Sequence, residues 1–122
     1  MNSSPSKNKL TMLLAELKHE YLKAFPEKLE LLRELTQKED WSGLEVLYHK
    51  LKGTGKTYGF PEISTLCQKM ESLAQSKTYQ KAEFFQRSLL ILEKLNQSYT
   101  QGTPYNLNQD PLAQSLLALP LD

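Results

Sequence analysis

Apolar side chains recur at spacings of three and four along almost the whole of this chain, and no stretch alternates as a half-buried strand would. The pattern predicts an all-α fold. Leu10, Leu13, Leu14, Leu17, Tyr21 and Ala24 or Phe25 mark a first helix. Pro26, which suits a first turn and fits badly inside a helix, predicts a break there. A second helix carries Leu29, Leu32 and Leu35 and ends in the polar run Gln37-Lys38-Glu39-Asp40. Asp40 or Ser42 is placed to cap a third helix, whose stripe is Leu44, Leu47, Tyr48, Leu51, Gly55 and Tyr58. Gly59 suits a left-handed C-cap, and Pro61-Glu62 is good first-turn chemistry for a fourth helix with Ile63, Leu66, Cys67, Met70, Leu73 and Ala74. After a polar link near Ser76-Lys77-Thr78 the stripe resumes in Tyr79, Ala82, Phe85, Leu89, Leu92 and Tyr99. These segments read as an antiparallel up-and-down four-helix bundle with an additional N-terminal helix and a short C-terminal tail segment.

A chain of 122 residues has room for one core. The expected organisation is an N-terminal extension over 1–8, the helical bundle over 9–100 and a tail over 101–122. In the tail, Asp110-Pro111 offers a cap and a first-turn proline to a short segment with Leu112, Leu116 and Leu119 at helical spacing. That segment is too short to be stable alone, so it either packs on the bundle or serves as a partner-binding tail.

Composition removes several classes of function. Fifteen basic against fourteen acidic side chains give a net charge of +1 with neither sign gathered in a block, which excludes the footprint of a nucleic-acid binder. The first apolar stretch is cut by Glu16 and Lys18 too early for a signal peptide or a membrane span, so a cytoplasmic protein is expected. A single cysteine, Cys67, allows no internal disulfide and sits on an apolar stripe, where a buried thiol is expected. The two histidines lie far apart with no ligand spacing around them, and no hydrolase triad can be assembled. A bundle that closes its own core predicts a monomer.

The informative helix is the third. At about 100° per residue, His49, Gly53 and Lys56 fall in one narrow sector opposite the apolar stripe, with Lys52 beside them. A histidine is thereby displayed to solvent in mid-helix. By itself such a residue is ordinarily part of a solvated face, and His19 on the first helix is read that way. As a nucleophile, however, the neutral imidazole needs no special environment near neutral pH, provided its other nitrogen donates to a fixed acceptor. The fourth helix offers Gln68 and Glu71 on the flank of its stripe. Glu71 is the better orienter, because a carboxylate also stabilises positive charge on a modified ring. Lys52 and Lys56 are spaced to neutralise an anion on that ring. Gly53 costs roughly 0.5–1 kcal/mol inside a helix, which points to something approaching closely.

The run His49-Lys50-Leu51-Lys52-Gly53-Thr54, with Gly59 ten residues after the histidine and Glu71 on the following helix, resembles the signature of histidine-containing phosphotransfer (HPt) domains. The similarity extends from about Tyr21 to Tyr99 and includes the lead-in Glu39-Asp40-Trp41. The resemblance implies that His49 accepts a phosphoryl group, Lys52 screens it, Gly53 admits a receiver domain's active site, and Glu71 hydrogen-bonds the ring. Glutamate at that position looks more like the phosphotransfer domains of chemotaxis-type kinases, whereas many relay domains carry glutamine. It further implies receiver domains and a histidine kinase as partners, with magnesium supplied by the partner and no cofactor of its own. Length leaves no space for a kinase, receiver or sensor domain, so the expectation is a free-standing phosphocarrier of a two-component phosphorelay. Two alternatives stand beside it: a non-phosphorylated interaction module on the same fold that binds and blocks a kinase or receiver, and a helical adaptor working through Leu112, Leu116 and Leu119.

Overall fold

Four long helices carry the chain. The computed structural model describes residues 5–121, and among them α1 spans Pro5–Gln37, α2 Trp41–Thr57, α3 Pro61–Gln75 and α4 Lys81–Gln101. A 3-10 turn at Leu107–Gln109 and a short α5 at Pro111–Leu117 complete it, with no strand among the described residues. Residues 1–4 of the expected N-terminal extension and Asp122 of the tail lie outside the described residues. α1 packs on α2 and on α4, α2 on α3, and α3 on α4, so the four helices enclose one core. Phe25, Leu32, Leu44, Tyr48, Met70 and Phe85 are wholly buried in it.

The break expected at Pro26 does not occur, and the separate N-terminal helix is instead the first half of α1, a continuous helix of 33 residues. An interior proline costs about 3 kcal/mol. Here Phe25, Leu29 and Leu32 carry the buried stripe across it, and each such side chain returns about 1.5–3 kcal/mol on burial. Pro26 itself is exposed.

The turns on either side of α2 fix where that helix lies. Asp40 accepts from the Gly43 backbone N–H at 2.9 Å and caps its start. At the far end Gly59 takes φ +85°, which a side chain at Cβ would oppose, and the chain reverses into Pro61. Gly55 permits the close crossing of α2 and α3. A Cβ there would stand 3.2 Å from the Ser64 backbone nitrogen and 3.3 Å from the Phe60 carbonyl oxygen. Cys67 is fully buried beneath this crossing, and burial pushes its thiol pKa up, leaving it unreactive.

The tail is packed on the bundle. Leu107, Ala113 and Leu116 are buried, and α5 lies on α4. Asp110 caps α5 through the Leu112 N–H at 3.0 Å, accepts from the Tyr105 hydroxyl at 2.8 Å and lies 3.7 Å from Lys94. Lys69 donates to the Leu119 carbonyl. Leu116 is therefore occupied within the chain rather than offered to a partner.

Candidate functional site

α2 divides into two faces. Leu44, Leu47, Tyr48, Leu51 and Gly55 are buried, whereas the His49 side chain remains 65% exposed on the other side. Below the histidine, Tyr48 is anchored by a hydrogen bond of 2.9 Å between its hydroxyl and that of the buried Ser88, and its ring packs on Phe85 at 5.7 Å. The backbone of His49 is thus held by its neighbour's burial.

Along the seam with α3, three side-chain bonds succeed one another. Gln75 Nε2 donates to Glu45 Oε2 at 2.8 Å, His49 Nδ1 lies 2.9 Å from Glu71 Oε2, and Lys52 Nζ donates to Glu71 Oε1 at 2.7 Å. Residue numbers rise on α2 as they fall on α3, so these two helices run antiparallel. Glu71 sits beside Met70, which anchors α3 in the core, and its side chain is 15% exposed. The Lys52 hydrogen bond, and after it that of His49, holds the Glu71 carboxyl below the ordinary glutamate range despite the opposing effect of burial.

A carboxylate can only accept, so Nδ1 must carry the hydrogen in this bond. The lone pair then resides on Nε2. One carboxylate therefore fixes the ring's rotation and tautomer together.

Of the residues singled out in the sequence, the structure brings His49, Lys52 and Glu71 into one hydrogen-bonded group. Gly53 lies in the same exposed face, and a Cβ placed on it would meet nothing within 4 Å. Nothing among the described residues demands glycine there. Lys56 is exposed and joins no ion pair with this group. Gln68 is exposed too and forms no hydrogen bond with the histidine ring, which is taken by Glu71. Sequence reasoning missed that Lys52 is already paired with Glu71, and that Lys28 of α1 joins Lys50, Gly53 and Thr54 around a shallow groove beside His49. No sequence signal marks Lys28, because its place depends on how α1 crosses α2.

The chemistry of the site is narrow: an oriented, accessible imidazole nitrogen in a setting of lysines. Among the described residues no three His, Cys, Asp or Glu side chains gather as a metal site, and no helix is long and apolar enough to cross a membrane. A family model described as the Hpt domain matches residues 16–101. No curated protein and no solved structure matches the chain.

Proposed function

This chain belongs to the histidine-containing phosphotransfer family, the Hpt domains of two-component signalling, and from that premise we propose that it is a free-standing cytoplasmic phosphocarrier built as an antiparallel bundle, with His49 as the phosphoacceptor. The observation that supports this most is the 2.9 Å bond from Nδ1 to Glu71, which leaves Nε2 as the nucleophile on an exposed ring. In transfer from a receiver, the Nε2 lone pair attacks phosphorus, the N–P bond forms, and the acyl phosphate's P–O bond breaks to release the aspartate carboxylate. The ring then carries positive charge, which the Glu71 carboxylate opposes. Return of the phosphoryl group to another receiver reverses each change.

Such transfer depends on positioning and charge neutralisation. This chain contributes the positioned nitrogen, the Lys52 cation and the clearance at Gly53. Magnesium, the acceptor aspartate and, for a kinase, ATP come from the partner. The protein is then a carrier rather than an independent catalyst. Lys52 is shared: its ammonium neutralises Glu71 in the free protein and lies one turn from His49, placed to turn toward a bound phosphoryl group.

The test is a transfer profile. The purified chain is mixed with each labelled receiver phosphate and each autophosphorylated kinase from the same cell. An acid-labile, alkali-stable label on the wild type that His49→Gln abolishes supports the reading. Label that persists in His49→Gln, or none from any donor, refutes it. The free-standing part is checked separately, by whether the protein taken from the cell and denatured has the 14.0 kDa mass of this chain.

A further inference from the structure

The bundle covers only part of α1. Tyr21 stacks on Phe60 with ring centroids 5.4 Å apart, and the Lys18 side chain reaches Gly59. Residues 5–17 precede both contacts, and at about 1.5 Å per residue they overhang the bundle by roughly 20 Å. On this overhang Leu10, Leu13, Leu14 and Leu17 form one stripe, exposed by 66%, 51%, 46% and 42%. Farther along the same helix the stripe becomes Phe25 and Leu32, which are wholly buried. A core-type face thus continues past the end of the core, and nothing among the described residues covers it.

We propose that the stripe pairs with the same stripe of a second copy, the two overhangs lying antiparallel. Area is the first argument. Four half-exposed leucines from each copy, with the stems of the flanking side chains, bury roughly 1,000 Å² in total, the lower bound for a specific interface. That favours a reversible dimer over an obligate one.

Charge supplies the second argument and sets the register. Lys9 and Glu16 flank Leu13 on one side of the stripe, and neither is in an ion pair among the described residues. With Leu10 opposite the second copy's Leu13, Lys9 comes opposite the second copy's Glu16, and by symmetry the pair forms twice. Sliding the antiparallel pair by one heptad sets Glu16 against Glu16 and Lys9 against Lys23, which like charges oppose. A parallel pair sets Lys9 against Leu14 and gains no opposite charge. The favoured register has its midpoint near residue 12, so the overhangs overlap along their own length and the bundles lie at opposite ends. A bundle that closes its own core needs no partner, and the surface that could take one is the helix that outruns the bundle.

The test is sedimentation equilibrium of the full chain at low salt, from about 1 to 300 µM. The wild type should approach twice the 14.0 kDa of one chain at the top of the range and dissociate on dilution. Leu13→Glu should be monomeric throughout with unchanged helicity by circular dichroism. Lys9→Glu should weaken association about tenfold, and the swap Lys9→Glu with Glu16→Lys should restore it to within about threefold of the wild type. A wild type monomeric at the highest concentration overturns the proposal. So does a charge swap no better than Lys9→Glu alone, or a monomeric wild type that sediments with anionic phospholipid vesicles, which would assign the stripe to a membrane surface.

Discussion

Replacing Glu71 with alanine should slow phosphoryl transfer to His49 by about tenfold without unfolding the protein. Glu71 Oε2 lies 2.9 Å from Nδ1, the one bond that sets which ring nitrogen is nucleophilic. Hydrogen bonds to charged groups contribute about 1.5–3 kcal/mol. The histidine side chain is 65% exposed, so water competes and the lower end applies. About 1.4 kcal/mol corresponds to tenfold in rate. Freed from the carboxylate, the ring is able to carry its hydrogen on Nε2, where it cannot attack. Glu71→Gln should lose far less, about threefold, because its amide oxygen still accepts from Nδ1 while the charge opposing the phosphorylated ring is gone. The assay is single-turnover transfer from a labelled receiver, with the ring's ¹⁵N spectrum recorded in parallel. The wild type should show the Nδ1–H tautomer and Glu71→Ala a mixture. An alanine variant that transfers at the wild-type rate and keeps that tautomer refutes the orienting role.

Other consequences follow from the same geometry. Gly53→Ala should raise stability by about 0.5–1 kcal/mol in denaturant unfolding, since its Cβ enters open space in a helix. Gly55→Ala, two residues on, should lower it by about 1–3 kcal/mol, because its Cβ meets α3 backbone. The Glu71 carboxyl is held below its ordinary range chiefly by Lys52, so its contribution to stability is present above the ordinary glutamate value and lost as pH falls through the lowered one. Lys52→Ala should therefore move the Glu71 titration, followed by carboxyl ¹³C shifts, to higher pH, with acid unfolding moving the same way. Leu116, 1% exposed, should cost about 2–3 kcal/mol as alanine, with transfer through His49 unchanged wherever the variant stays folded; loss of transfer in the folded variant would give the tail a direct role.

Periodicity made the helices legible because the face of a helix is written in its spacing. The polar face of α2 could be read because it needs only helical geometry, whereas the preference for Glu71 over Gln68 came from charge, a carboxylate being the better partner for a positive ring, and Glu71 Oε2 lies 2.9 Å from His49 Nδ1. Gly59 could be read because a left-handed turn demands its residue type. Pro26 misled for an energetic reason: a local cost of one proline was outweighed by Phe25, Leu29 and Leu32 on a core the sequence alone cannot show. Leu10 to Leu17 mark a helix as their spacing predicts, and the exposure of their stripe is a separate matter. Spacing tells which side of a helix is apolar, never whether anything lies against it. The pairing of Lys52 with Glu71 and the place of Lys28 were hidden for the same reason, as both depend on the distance between helices.

The most direct test of the account needs no partner protein. The chain is labelled with ¹⁵N at histidine, phosphorylated with the small donor phosphoramidate, and the modified ring nitrogen is identified from its coupling to phosphorus. The account predicts one phosphohistidine, at His49 and on Nε2, with Nδ1 still bonded to Glu71. A phosphoryl group on Nδ1 of His49, or on His19 in place of His49, would contradict it.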